Sequence, residues 1–279
     1  MSAATAAAAR LPTYYLSHGG GPWPWMKDQA GGMFDRLEQS LVAIRAELGE
    51  RPRALLLISG HWETPGFAVS AGERPGMVFD YYGFPQHLYR ISYPAPGSPQ
   101  LAARVRELLE RGGVGCALDP QRGFDHGTFS LAKPLYPEAD MPIVQLSIRG
   151  DFDPAAHLEV GRLLAPLRDE GVVIVGSGSS YHNLRQLGPV GRAPSKTFDG
   201  WLQDTLVGTA SDRRSEQLQA WTRAPAARQA QPREDHLVPL FVAVGAAEDD
   251  PGACVYHQDD FMGCALSSFR FGEPPAYSG

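Results

Sequence analysis

The sequence predicts a single α/β domain with a central sheet, mostly parallel or mixed, that is flanked by helices. Three short apolar runs carry this prediction, because each ends in small residues and then reaches a histidine. Residues 55–58 lead to His61, residues 14–16 lead to His18, and residues 172–175 lead to His182. In open α/β sheets, ligands bind at the carboxyl ends of the strands. We therefore expect a metal site at that edge of the sheet.

The remaining elements follow from hydrophobic periodicity and from helix-breaking residues. Helices are predicted over residues 34–48, 101–111, 155–167, 198–207, 216–223 and 237–247, with Asp235 as a candidate cap of the last one. Strands are predicted over residues 13–16, 53–59, 67–70, 143–148, 172–175 and 269–271, the last as an edge strand. We interpret residues 72–99, 119–129 and 224–233 as loops, with an extended segment over 88–92. Without a repeat or a linker, residues 11–279 are expected to form one domain behind a disordered Ala-rich tail, residues 1–10.

Composition excludes several classes of protein. The 279 residues are 43% hydrophobic and 20% charged, which is enough for a sizeable core. A net charge of −6 argues against nucleic acid or an anionic membrane as a partner. There is no run of 18 apolar residues and no credible signal peptide. The three widely spaced cysteines lack a CxxC pair, are expected to be buried, and favour a reducing cytoplasm.

The eight histidines divide into two groups by context. His87, His157 and His257 are interpreted as surface or structural residues. The other five lie in loops or at element ends beside glycine or acidic residues: His18, His61, His126, His182 and His236. Several imidazoles at one sheet edge would repel one another as cations, whereas a divalent metal binds them neutral. Their long-range spacing is typical of a catalytic site assembled from separate loops, with positions open for substrate.

Two glycine-rich segments suggest other chemistry but lack the residues for it. Residues 176–180 are similar to a nucleophile elbow, yet position 180 is serine instead of glycine, and the lysine of a P-loop is missing. A structural need for small residues at a tight turn explains this segment better. Residues 17–21 are similar to the oxyanion element of esterases, but no nucleophile motif accompanies them.

Six motifs together resemble the class III extradiol ring-cleavage dioxygenases, in particular their DOPA 4,5-dioxygenase branch. They are SHGGGP at 17–22, SGHWE at 59–63, YYGFP at 81–85, DHGTF at 125–129, GSGSSYHNL at 176–184 and DHLVPL at 235–240. The resemblance covers most of the chain, and the motifs are specific jointly rather than singly. It implies one α/β catalytic domain with one non-haem Fe(II), or a recorded Zn(II), at the sheet edge.

The resemblance also implies roles for individual residues. His18 and His61 match two histidine ligands of the family, and His236 matches the third ligand of this branch. Because protocatechuate-type members use a glutamate as third ligand, the adjacent Glu234 and Asp235 keep a set with one carboxylate open. His182 matches the family's acid/base residue and His126 a residue beside the substrate, and contact of His182 with the metal is also left open.

The implied reaction inserts O2 into a catechol-type ring and opens it to a muconate semialdehyde-type product, a step of aromatic compound catabolism. The implied partners are a small aromatic diol and O2, and the oligomeric state, a homo-oligomer included, is left open. Six aromatic residues near the motifs are candidates for the lining of an aromatic pocket, and equally for loop anchors or core filler: Trp23, Trp25, Trp62, Tyr81, Tyr82 and Phe84. Few basic residues lie in the motif loops, namely Lys27, Arg122 and Arg185, so we expect a catechol without a ring carboxylate. Two rival readings are a Zn-dependent hydrolase using the same histidines and a Memo-like binding protein without catalytic activity.

Overall fold

The computed structural model describes residues 10–50 and 52–275, so the predicted tail lies, apart from Arg10, outside the described residues. Its strands form one eight-stranded sheet: β1 Thr13–Ser17, β2 Ala54–Thr64, β3 Phe67–Ser70, β4 Cys116–Asp119, β5 Ile143–Arg149, β6 Val172–Gly178, β7 Gly252–Phe261 and β8 Cys264–Phe271. The order across the sheet is β4-β3-β5-β2-β6-β1-β8-β7.

The centre of the sheet is parallel and its edges are mixed. Strands β5, β2, β6 and β1 run parallel to one another. The pairs β3–β5, β1–β8 and β7–β8 are antiparallel, and β4 at one edge runs parallel to β3. The central strands are apolar on both faces, since Leu56 and Ile174 belong to one core and Leu57 and Val175 to the core on the other side. Burial on both faces explains why these strands read as continuous apolar runs. The predicted fold class is confirmed.

Helices cover both faces of this sheet. They are α1 Asp35–Leu48, α2 Pro99–Arg111, α3 His126–Leu135, α4 Pro154–Leu164, α5 Pro189–Leu206, α6 Ser211–Gln219, α7 Ala227–Ala230 and α8 Val238–Ala247. Every residue of α8 is buried, which accounts for its uniformly apolar sequence. None of the helices in the described part of the chain is long and apolar enough to cross a membrane.

Several local predictions were wrong, either because tertiary contacts overrode a local signal or because a local signal was missed. Strand β2 continues beyond Ser59 to Thr64 through a register shift, so His61 lies within an irregular part of the strand and not after its end. The predicted loop over 119–129 contains the start of α3, which Asp125 caps by accepting a hydrogen bond from the amide of Thr128. Strand β8 is paired on both sides, and the edge strand is β7.

Smaller differences concern caps, short turns and one cysteine. Residue 237, not Asp235, precedes α8, and no side chain caps that helix. A 3₁₀ turn, Gln86–Tyr89, stands where an extended segment was predicted, and α7 lies within the predicted loop 224–233. Helix α5 begins at Pro189 rather than near residue 198. Proline is tolerated in the first turn of a helix, so Pro189 does not prevent this earlier start. Cys116 and Cys264 are buried as expected, but Cys254 is exposed on β7.

Candidate active site

The five histidines singled out by context lie together at the carboxyl end of the sheet. Their ring centroids are 4.9 Å apart for His18 and His61, 4.7 Å for His61 and His236, and 5.1 Å for His18 and His236. His126 lies 3.9 Å from His61, and the ring of His182 lies 3.3 Å from that of His236. Each comes from a different segment, so the sheet edge brings together residues that are distant in sequence.

Small residues at the strand ends allow these segments to approach. A Cβ atom on Gly178 would lie 2.0 Å from the carbonyl oxygen of His236, and one on Gly60 would lie 2.7 Å from that of Asp235. Neither contact is possible for a larger residue, which explains the glycines that follow the buried strands. Serines beside these glycines form hydrogen bonds with the start of α3. The hydroxyl of Ser59 donates to Oδ1 of Asp125, and that of Ser177 donates to the carbonyl of Gly127. These bonds fix the start of α3 and therefore His126.

Three of the histidines could hold one metal ion. Ring nitrogens of His18, His61 and His236 all lie within 4.8 Å of one another, and the Nε2 atoms of His61 and His236 are 3.1 Å apart. Both ring nitrogens of His18 are buried and lack a hydrogen-bond partner among the residues that the structure describes. A buried polar atom without a partner is costly unless something else satisfies it. A divalent cation that accepts three neutral imidazoles fits this arrangement.

The electrostatics of the cluster favour neutral imidazole. The pKa of His61 is lowered to about 3, chiefly by burial and next by the charge of His126, and Asp80 offsets part of this shift. Burial, followed by the charges of the other histidines, also holds the pKa values of His18 and His236 well below their usual range. Unprotonated imidazole is the form that binds a metal.

Two carboxylates lie behind these histidines and orient them. The Nδ1 of His236 is 2.7 Å from Oδ2 of Asp235, and the Nδ1 of His61 is 3.3 Å from Oδ2 of Asp80. The first contact is a hydrogen bond, and the second is a contact at ion-pair distance. A proton on each Nδ1 would leave the lone pair of each Nε2 free for a metal, because the carboxylate beside a ligating histidine holds the proton on the other ring nitrogen. Asp80 also accepts from His126, through Oδ1 at 2.8 Å from Nδ1 and 3.1 Å from the backbone nitrogen. Sequence reasoning missed Asp80, although it directly precedes the YYGFP motif.

The geometry bears on the open choice of a third ligand. The carboxylate of Glu234 binds Arg228 at 2.5 Å, on the outside of the site. Asp235 forms a hydrogen bond with His236 through Oδ2, whereas its Oδ1 is buried and has no hydrogen-bond partner within the described ranges. Donor atoms of His182, Asp235 and His236 also lie within 4.8 Å of one another, so His182 is near the candidate centre without belonging to the three-histidine group.

His182 faces the cavity from a rigid segment. Its backbone nitrogen donates to the carbonyl of Ala230 at 3.0 Å. The side-chain amide of the following Asn183 donates to the carbonyl of Gln229 at 2.8 Å. The ring stacks on His236 with an interplanar angle of 13° and is half-buried. Burial lowers its pKa, which Asp235 partly offsets. A neutral imidazole in this position can accept a proton.

A cavity of about 520 Å³ opens on the histidine cluster. Of the six candidate aromatic residues, Tyr81, Tyr82 and Phe84 line it. The three tryptophans do not: Trp23 donates to the carbonyl of His18 at 2.8 Å, Trp25 packs on Phe129, and Trp62 lies under Arg122. The opposite wall was missed, because residues from two distant segments form it: Tyr181, Leu184, Leu187, Phe261, Met262, Cys264, Ala265 and Leu266.

None of the lysines and arginines in the described part of the chain lines this cavity. Arg122 instead forms an ion pair with the fully buried Asp125, at 2.5 Å, and stacks over Trp62. Lys27 pairs with Glu38. The charged side chains that do line the cavity are Asp80 and Asp235, beside the histidines.

Comparison with known families matches residues 12–272 to the catalytic LigB subunit of aromatic ring-opening dioxygenases. The chain belongs to this family. A 4,5-DOPA dioxygenase extradiol from Beta vulgaris is 40% identical over 75% of the chain and 78% of its own length. The dioxygenase tasH of Hapsidospora irregularis is 35% identical over 94% of the chain and 85% of its own length. The crystal structure of an uncharacterized Escherichia coli K12 protein is similar at a TM-score of 0.75, with 30% identity, covering 94% of this chain and all of that one.

These matches confirm the resemblance read from the six motifs. This LigB-family chain is an extradiol ring-cleavage dioxygenase of the DOPA dioxygenase-like branch. Enzymes of this family depend on a metal, and the histidine cluster is where the described residues could hold one. The assignment of each ligand and of the proton-transfer residue stays a prediction.

Proposed function

We propose that this dioxygenase binds one Fe(II) through His18, His61 and His236 and opens the ring of a catechol-type diol with O2. The observation that carries the proposal is that ring nitrogens of these three histidines lie within 4.8 Å of one another and that all three histidines line one open cavity. A facial set of three ligands leaves neighbouring positions for other ligands. Iron bound there would supply the redox chemistry and a place for diol and O2 side by side.

The residues of the chain would position the diol and move its protons. We assign to the ring of His182 the removal of a hydroxyl proton from the diol and the later return of that proton to an oxygen atom of O2 when the O–O bond breaks. We assign to His126, which is held by two hydrogen bonds to Asp80, a contact with the second oxygen of the substrate. The cavity wall excludes water around the ring, through Tyr81 and Phe84, whose rings pack 5.2 Å apart.

The substrate class follows from charge and from shape. Two carboxylates and no cation line the cavity within the described residues, so a diol with a carboxylate on its ring would find no partner. We propose a catechol without a ring carboxylate, with an alkyl or aminoalkyl substituent tolerated. Several relatives are named 4,5-DOPA dioxygenase extradiol, which puts L-DOPA among the diols to be tested.

We further propose that residues 11–279 act as one catalytic domain and that the enzyme works in the reducing cytoplasm. The family match over 12–272 supports the first point. The second is supported by the three cysteines, all of which are free thiols.

The test is anaerobic reconstitution of metal-free protein with Fe(II) or Zn(II), followed by O2 uptake in the presence of catechols. The Fe(II) protein should consume one O2 for each ring opened, and the Zn(II) protein should consume none. Equal turnover with both metals, without O2 uptake, would instead favour the hydrolase. No turnover of any diol by iron-loaded protein would favour a binding protein.

The ligand set is tested by metal content. His18→Ala, His61→Ala and His236→Ala should each lose most of the bound metal, and Glu234→Ala should keep it because that carboxylate pairs with Arg228. A His236→Ala protein with full metal content, together with loss in Glu234→Ala, would move the third ligand to the carboxylate.

A further inference from the structure

Three exposed apolar side chains surround the mouth of the cavity. Tyr82, Leu184 and Met262 are 91%, 66% and 43% exposed, and all three line the cavity that contains the histidines. We call them the apolar rim. The other exposed large apolar side chains of the described residues, for example Met33 and Leu118, lie away from this cavity. Scattered exposed apolar residues need no explanation, but a group around a cavity indicates a binding surface.

Met262 stands at a position where the backbone disfavours it. Met262 and Gly263 connect β7 to β8 with φ values of +50° and +81°. Two-residue hairpin turns with positive φ at both positions are usually Asn-Gly, because β-carbon contacts strain other residues there. The amide of Gly188 donates to the carbonyl of Met262 at 2.9 Å, so the turn is fixed against the segment that carries Leu184. A strained residue held at the edge of a site points to a use of its side chain.

The wall below the rim is also apolar. Leu187, Phe261 and Leu266 line it, and no lysine or arginine of the described residues does. The carboxylates of Asp80 and Asp235 are at the other end, bonded to histidines. A volume of about 520 Å³ lies in the range of sites for drug-sized ligands. A bare monocyclic diol at the histidines would leave the apolar part of this space empty.

We infer that the apolar rim is a specificity subsite for an uncharged alkyl or aryl substituent on the diol ring, with Leu184 and Met262 as the determinants. This inference rests on the proposed function, which places the diol oxygens at the histidines. Transfer of an apolar substituent from water to this apolar wall is favourable in free energy. An amino acid substituent such as that of L-DOPA would bring a carboxylate and an ammonium next to side chains that cannot pair with them.

The first test is a series of catechols with increasing substituent length: catechol, 4-methylcatechol, 4-propylcatechol, 4-butylcatechol and L-DOPA, with the Fe(II) enzyme. We expect kcat/KM to rise about two- to fourfold for each added methylene. L-DOPA, whose substituent has the same number of carbons as propyl, should be a poorer substrate than 4-propylcatechol. A flat series, or L-DOPA above 4-propylcatechol, would overturn the inference.

The second test uses matched variants. The readout is the ratio of kcat/KM for 4-butylcatechol to that for catechol, measured for each protein. Leu184→Ser and Met262→Ser should lower this ratio about three- to tenfold, by removing apolar contact with the butyl chain. Leu118→Ser and Met33→Ser change the same residue types at exposed positions outside the cavity, and should alter it by less than about twofold. Equal ratios in all four variants would contradict the assignment.

A binding measurement separates this inference from the proposed function. The Kd of each diol for Zn(II)-loaded protein under nitrogen reports binding without turnover. If Kd falls with chain length while the iron protein opens no diol, the subsite stands and the proposed reaction fails. If the iron protein opens catechols but neither Kd nor kcat/KM depends on chain length, the reaction stands and the subsite fails.

Discussion

Replacement of Asp80 by asparagine tests whether a residue outside the proposed three-histidine ligand set controls the metal site. Oδ1 of Asp80 receives both the ring and the backbone N–H of His126, while Oδ2 lies 3.3 Å from Nδ1 of His61. The side chain of asparagine has one oxygen and one NH2 group in place of the two oxygens. With the oxygen kept toward His126, the NH2 group would face His61 Nδ1. Because an NH2 group donates, that contact favours the tautomer of His61 that has its lone pair on Nδ1 and its proton on Nε2. A proton on Nε2 would prevent that nitrogen from binding the metal.

The expected effect is a loss of about 10- to 100-fold in metal affinity, the range found when the partner of a ligating histidine is mutated. In free energy this is about 1.4 to 2.7 kcal/mol. The assay is titration of Zn(II), and of Fe(II) under nitrogen, against a chromophoric chelator. Asp235→Asn should cost less than Asp80→Asn, because Asp235 receives one hydrogen bond through Oδ2 and its Oδ1 has no partner among the described residues. An asparagine oxygen can take over that single bond.

The control is Asp151→Asn, which removes a half-exposed carboxylate that pairs with Arg149 outside the cavity. This variant should bind metal like the wild type. Wild-type affinity in Asp80→Asn, or a larger loss in Asp235→Asn than in Asp80→Asn, would refute the tautomer argument.

Three further predictions concern proton transfer, pH and substrate charge. His182→Ala should retain iron, measured by metal analysis, and lose about 10²- to 10⁴-fold in turnover, whereas loss of iron would make His182 a ligand. Burial lowers the pKa of His157 to about 4, so the folded chain prefers the neutral ring and stability is lost as pH falls from its ordinary value of 6.5. This group alone should remove about 3 kcal/mol of unfolding free energy between about pH 7 and about pH 4. In urea titrations His157→Gln should show a smaller drop than the wild type, and an equal drop would contradict the assignment. Protocatechuate should have a lower kcat/KM than 4-methylcatechol, because Arg122 is held by the buried Asp125, and the reverse order would show that this arginine is available to a substrate carboxylate.

Relations between distant residues could not be read from the sequence. The register shift in β2 places His61, yet it depends on pairing with β5, and nothing in residues 59–63 specifies it. Asp80 stands among residues interpreted as an irregular loop, and its two histidine partners come from other segments. The tryptophans near the motifs were candidates for the pocket, but aromatic side chains fill a core as readily as a cavity, and only packing distinguishes the two uses.

The sequence by itself determined the class of fold and the five histidines of the site. Parallel strands buried on both faces must be continuously apolar, and glycines are required where another backbone passes within contact distance. Both features can therefore be recognised in short segments of the sequence. Only the tertiary structure shows that ring nitrogens of three of these histidines lie within 4.8 Å of one another, that Asp80 and Asp235 lie beside two of them, and that Leu184 and Met262 line the same cavity. Each of these depends on contacts between segments far apart in the chain, whose distances are set by how the sheet and helices pack.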